Sequence, residues 1–458
     1  MVMLGGAVGA ALCGYLADRF GRRPVCLTTV FASVCLNLLI AMLGALHWVF
    51  SPFPPSHSTT AQLQTVNMPL FFALGVCAGG YMVTNFVSLL EVISSQFWRL
   101  GASAVNGWPL ALVCMAALGY LTQHWRYYHL GVAGFGGLCY LLLLFWVDES
   151  PKWLAQKRQF AAARKVYAKI AASNGRSLPE QSLEDIVLNL QASGIQLDEE
   201  AKSGGEAVEY SYVDLLRYGR VRRYLLPLCY SWVASSIITY GLYFNLGALA
   251  GNRYLNLVLT GVFKGTTGVI PFLVSPCVGR KPVLLCGVLA TLLSTWGAVV
   301  LYFGMVDAKY SSAMTFFAVL GVAALDPIWK VNHFYSSELF PTVVRNMARG
   351  VCNVGSRVGS VLAPQVAFLG YYHFAVPYLI FGVLSLLHFV IAILFLPETR
   401  GRVIKDSMRH YTLMETGDDG SDTEQAEQPR GCGEALLSMG EGRPVPDSNQ
   451  ALIQHPQA

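Results

Sequence analysis

Charge is scarce in this 458-residue chain: Asp, Glu, Lys and Arg make up 13% of it, where soluble domains carry ~25%. With 54% hydrophobic residues, that scarcity excludes a water-soluble globule and indicates a polytopic membrane protein. Metal-ligand spacing is also missing. The eleven cysteines are scattered, and Cys13, Cys77, Cys114 and Cys139 fall within apolar runs, so they read as small core residues and not as a zinc site or disulfide framework. No nucleophile–base constellation, phosphate loop or metal motif occurs, which argues against an enzyme and predicts no cofactor; His333 and His388 stand isolated within apolar segments. No Asn-x-Ser/Thr acceptor is present, so topology rests on charge alone. A charged segment ahead of the first apolar run is lacking too, which predicts no cleavable signal peptide. The net charge of +5 resides mostly in loop arginines and lysines; membrane orientation explains it without nucleic acid.

What the chain has in abundance is apolar runs. Spanning a bilayer takes about 20 apolar residues. Eleven segments meet that need: 1–17, 25–48, 68–90, 102–121, 128–147, 224–248, 254–274, 282–303, 312–334, 347–369 and 374–396. Short loops rich in Lys and Arg stay on the cytoplasmic side. Arg19, Arg22 and Arg23 between the first two segments therefore orient the protein, and an odd number of spans puts Met1 outside and the C-terminal tail inside.

That first loop, Gly14-Tyr-Leu-Ala-Asp-Arg-Phe-Gly-Arg-Arg23, combines a turn glycine (Gly21), an acid at a helix end (Asp18) and the three arginines. It resembles the signature loop of the major facilitator superfamily. Three further landmarks, Glu149-Ser-Pro-Lys-Trp-Leu154, Glu338-Leu-Phe-Pro-Thr-Val-Val-Arg-Asn346 and Pro397-Glu-Thr-Arg-Gly401, resemble those of the organic-ion transporters, solute carrier family 22, and in particular one of its orphan members. The resemblance implies an all-α fold of two pseudo-repeated helical halves, with about 11 of the superfamily's twelve helices and the first one lacking. The expected division is 1–147 for the N-terminal half, 148–223 for a cytoplasmic inter-half loop with amphipathic helices, 224–397 for the six-helix C-terminal half, and 398–458 for a disordered cytoplasmic tail.

Ionisable groups inside spans are costly and mark pathways or partners. Arg357, in Ser356-Arg-Val-Gly-Ser-Val-Leu-Ala-Pro364, falls near mid-membrane depth. It resembles the arginine that organic-anion members of the family present to the cavity, although neutralisation by a structural acid is the alternative. Lys264 stands where the family more usually has an acid, and either faces the cavity or pairs with Asp326. Asp326 and Lys330 are one turn apart and can also satisfy one another. Tyr240, placed as a cavity tyrosine is in organic-ion carriers, joins Trp232, Tyr243, Trp329 and Phe334 as candidates for an aromatic-lined site suited to an amphipathic carboxylate or sulfate. Glu91, Glu149, Glu338 and Arg345 are expected to support the conformational charge network together with Gly14, Asp18, Arg19, Gly21, Arg22 and Arg23. Glycine pairs Gly5/Gly9, Gly75/Gly79 and Gly355/Gly359 predict close helix packing or hinges.

Two departures from the family pattern stand out. Pro276 occupies the acid's place in the second copy of the loop, ahead of Gly279-Arg-Lys281, and Phe71 replaces a usual arginine; both predict a weakened charge network. The function expected is a carrier for small organic ions, by preference anions, at the plasma membrane. The alternative is a non-transporting receptor or assembly partner on the same fold. Lipid is the surrounding medium, nucleic acid is not a partner, and no protein partner is indicated.

Overall fold

A computed structural model describes residues 1–50, 57–93, 101, 107–175, 215, 217–304, 312–340 and 342–399. Of the expected tail only residues 398 and 399 are described, and most of the inter-half loop after residue 175 lies outside the described residues. Every extended element among the described residues is helical. The first half comprises α1 (Val2–Phe20), α2 (Arg22–Phe50), α3 (His57–Val92), α4 (Trp108–Thr122) and α5 (Trp125–Trp146). Two short helices follow, α6 (Pro151–Gln156) and α7 (Phe160–Ser173). The second half comprises α8 (Gly219–Asn245), α9 (Arg253–Val278), α10 (Arg280–Gly304), α11 (Ser312–Glu338), α12 (Thr342–Phe368) and α13 (Ala375–Phe395).

The described residues of all eleven apolar segments fall mainly on helices. Among the described residues, eight helices (α2, α3, α5, α8, α9, α10, α11 and α13) are long and apolar enough to cross a membrane. The others have local reasons for falling short: α4 has 15 described residues, α1 ends in Asp18 and Arg19, and α12 carries three arginines. Large apolar side chains cover the outside, among them Phe145, Trp146, Leu121, Val300 and Leu394, as lipid contact requires.

Helices in lipid associate through close packing, because lipid tails are as apolar as leucine. Accordingly α1 and α3 meet glycine to backbone: a Cβ on Gly5 or Gly9 would collide with the carbonyls of Phe72 or Val76, and one on Gly75 or Gly79 with those of Val2 or Gly6. Gly359 does the same against Val233 on α8. The main apolar core fills the second half, with Trp232, Tyr335, Tyr378, Phe340 and Phe381 at its centre. Among the described residues the halves touch along two main seams. In one, Gly261 of α9 leaves room for Pro109 and Val113 of α4; in the other, α1 packs on α12, where Arg357 reaches Gly6.

Helix α6 begins at a Ser150 cap whose hydroxyl accepts the Trp153 N–H, and it packs Trp153 and Leu154 against Ala163 of α7. The Trp153 indole N–H donates to the Asp18 carbonyl at 3.0 Å, and Lys169 pairs with Asp148 at 2.6 Å. This short pair of helices thus braces the end of α1 that bears the basic loop.

Candidate functional site

The ends of the two halves carry the same charge device. Gly21 turns the chain at φ +110°, in the region where a side chain is strained, and its missing Cβ leaves space that the Glu149 carboxylate occupies. Glu149 accepts the backbone N–H groups of Arg22 and Ser150, both at 2.9 Å, and that of Arg23, so it caps the N-terminus of α2 from 127 residues away. Arg22 in turn donates to both oxygens of Glu91 at 3.2 and 3.0 Å and to the Ala17 carbonyl. In the second half Gly279 repeats the turn at φ +107° against Glu398, which accepts the N–H groups of Arg280 and Lys281 at 2.9 and 3.0 Å. Arg280 pairs with Glu338 at 3.0 Å, and the Thr399 hydroxyl donates to the same carboxylate at 2.6 Å.

For the second copy of the loop, this corrects the weakening expected from Pro276. The lost acid at Pro276 corresponds to Asp18, whose side chain is 74% exposed although it lies 2.9 Å from Arg22. An ion pair so exposed contributes ~0–1 kcal/mol. The buried partners are retained in both halves: the Arg22–Glu91 pair has counterparts in Arg280 and Glu338, and Glu149 has one in Glu398. Arg19 lies over the Phe20 ring at 5.4 Å, and Gly14 has only Val83 near its open side. The side chain of Arg345 lies outside the described residues. Phe71, in the place of the superfamily's arginine, lies 6.1 Å from the His129 ring.

Deep charges form the second feature. Across the described helices, the charged residues placed seven or more positions from either helix end are Lys264, Asp326, Lys330, Arg349 and Arg357, four basic against one acidic. Lys264 and Lys330 both clamp Asp326, at 3.0 and 2.6 Å, and all three are buried. The two pairings that spacing left open therefore occur together. Pro327 helps to bring the helices into place: it has no N–H for the Ala323 carbonyl one turn back, and Thr267 of α9 donates its hydroxyl to that carbonyl at 2.8 Å. Gly268 completes the site, since a Cβ there would strike the Asp326 carboxylate and the Lys330 amine.

Arg357 differs. It crosses from α12 to the first half, with one nitrogen 3.4 Å from the Met82 sulfur on α3 and another close to Gly6 on α1. No carboxylate of the described residues lies within ion-pair distance of it, and its Nε is buried without a partner. Tyr240 is within electrostatic reach of both Arg357 and Lys264, and its ring lies 6.4 Å from that of Tyr243, whose hydroxyl has no partner. Trp232 is buried edge-on to Trp329 at 5.6 Å, and the Trp329 N–H donates to Thr239 at 3.1 Å. Phe334 is half-buried on α11.

Sequence reading missed a cluster beside these. Trp232 also meets His333, ring to ring, at 4.7 Å. His333 lies 5.2 Å from Phe86 of α3, and the Arg349 guanidinium sits over that same Phe86 ring at 4.6 Å. Arg349 could have been flagged by the count of cations in one span.

Comparison with known proteins bears directly on this two-half helical architecture. The family model described as sugar (and other) transporter matches residues 100–411. The chain belongs to that transporter family. It is therefore a multi-pass membrane transporter of small molecules and not an enzyme. Similar sequences include solute carrier family 22 member 15-like of Xenopus laevis, 28% identical over 90% of this chain and 78% of the relative. The organic cation transporter protein of Drosophila melanogaster is 27% identical over 89% and 69%, and human solute carrier family 22 member 13 is 28% identical over 90% and 68%. Among solved structures, the major facilitator superfamily proton:xylose symporter XylE bound to 6-bromo-6-deoxy-D-glucose superposes with a TM-score of 0.61 at 19% identity, over 90% of this chain and 87% of that one. The inward-open xylose transporter XylE from E. coli gives 0.60 at 18% identity, over 88% and 86%. These structures establish the major facilitator fold for this transporter.

Proposed function

We propose that this transporter carries organic anions by alternating access, the first half rocking against the second around a site between Arg357 and Tyr240. The observation that carries the reading is an excess of positive charge within the helices of the second half: Lys264 and Lys330 share the buried Asp326, while Arg349 and the partly exposed Arg357 have no carboxylate within ion-pair distance among the described residues. An uncompensated cation within a membrane span is expensive, so a substrate that supplies the opposite charge binds where it relieves that cost. Tyr240, Tyr243 and the Trp232–Trp329 pair provide an aromatic surface for the remainder of such a molecule, while Lys264 adds field strength although Asp326 takes up part of its charge. The Arg22–Glu91–Glu149 and Arg280–Glu338–Glu398 networks are assigned to holding one access state. By the basic-loop rule they are assigned, with the C-terminal tail, to the cytoplasmic side, and the membrane proposed is the plasma membrane.

Arg357→Gln removes the charge and keeps much of the side-chain volume. It should abolish saturable anion uptake with surface expression intact; unchanged uptake would refute the role.

A further inference from the structure

Of the four deep cations, Lys264 and Lys330 share Asp326, and Arg357 faces Met82 and Gly6, which leaves Arg349 unaccounted for. Arg349 lies on α12 eight residues before Arg357, or ~12 Å along the helix axis, toward the end of the bundle that holds Arg280 and Glu338. It crosses the seam between the halves. Its partners are the face of Phe86 on α3 at 4.6 Å and the Nδ1 of His333 on α11 at 3.5 Å, and no carboxylate of the described residues is within ion-pair distance. A guanidinium offers five N–H donors, and a ring face with one distant imidazole nitrogen leaves most of them unused. Phe86 is one turn beyond Met82 on the same helix, so α3 presents Met82 to Arg357 and Phe86 to Arg349 in succession. The rings of Phe86 and Trp232 flank His333 at 5.2 and 4.7 Å, which gives the cationic spot aromatic walls.

We propose that Arg349, together with His333, is a second anion-binding position, one that receives the carboxylate or sulfonate of an aromatic organic anion after it leaves Arg357. This rests on the anion-carrier reading of the path. Two guanidinium groups in sequence let the anionic group move between stations without crossing a stretch of bare hydrocarbon. Binding of the oxyanion replaces the ring contact to Phe86, which joins occupancy of the position to separation of the halves.

The test uses the full-length chain reconstituted in vesicles, with benzoate and benzenesulfonate as probes presented from either face. Arg349→Gln should raise the KM for entry from the face bearing Arg280 and Glu338 about tenfold or more, and leave the KM from the opposite face within about twofold. Arg349→Lys, which keeps the charge, should recover much of the loss. Equal KM changes at the two faces, or Arg349→Lys as impaired as Arg349→Gln, would overturn the proposal and leave Arg349 as a clamp between helices. Should the wild type move neither probe, its thermal stabilisation by benzoate decides: stabilisation that Arg349→Gln diminishes keeps the binding position and removes the carrier reading, and absence of stabilisation in the wild type removes both.

Discussion

Asp326 is held by two lysines from two helices, in a group buried on all sides. Such clusters contribute little net stability, because removing three charges from water costs about as much as their attraction returns, but loss of one member strands the others. Asp326→Asn should therefore lower stability by roughly 3–5 kcal/mol, read as a fall in the melting temperature of the purified protein. Adding Lys264→Met to that variant should restore part of the loss, since one stranded charge is then removed. Only part of this was legible from the chain. Asp326 and Lys330 stand one helical turn apart and announce their pairing, whereas Lys264 enters from another helix, and spacing offered it a cavity and an acid equally. Arg349 is harder to read than Arg357, eight residues on in the same helix, because it matches no family motif. A lone cation in an apolar run carries the same physical cost whether or not it matches.

Caps made by distant carboxylates dominate at the scale of the element. Glu149 and Glu398 each supply an anion to a helix N-terminus whose first N–H groups have no partner within the helix. Glu149→Gln and Glu398→Gln should each cost about 0.5–2 kcal/mol, and by similar amounts, if the two ends are equivalent devices. Thermal unfolding of the two variants side by side checks this, and a loss confined to one would show the symmetry to be superficial. Glycine pairs in α1 and α3 set a second requirement. Gly9→Val places side-chain atoms where the Val76 backbone lies, so α1 should separate from α3 and surface expression should drop sharply. The helices themselves were readable from apolar length alone, and the Gly5/Gly9 and Gly75/Gly79 spacing indicated close packing. Glu338 was expected in the charge network, but neither its pairing with Arg280 nor the capping role of Glu398 was readable, since Pro276 suggested a broken loop. The signal lay in the symmetry of the chain: each half ends its last apolar span with a glutamate followed by a hydroxyl residue, Glu149-Ser150 and Glu398-Thr399.

Two helical halves meeting along narrow seams form a molecule whose working motion is separation and closure of those seams. At the α4–α9 seam a Cβ built on Gly265 lies 3.5 Å from the Cβ of Pro109, within the range that a disulfide bridges. Pro109→Cys with Gly265→Cys should form a bond under oxidation that arrests transport, and reduction should restore it. Transport that continues through the cross-link would mean that this seam does not move. The most direct measurement of the whole account is charge selectivity: uptake of a mixed panel of organic anions and organic cations by cells expressing this chain, with its presence at the surface verified. Saturable uptake of anions and not of cations is the predicted result. Uptake of cations alone, or none of either from well-expressed protein, would contradict it.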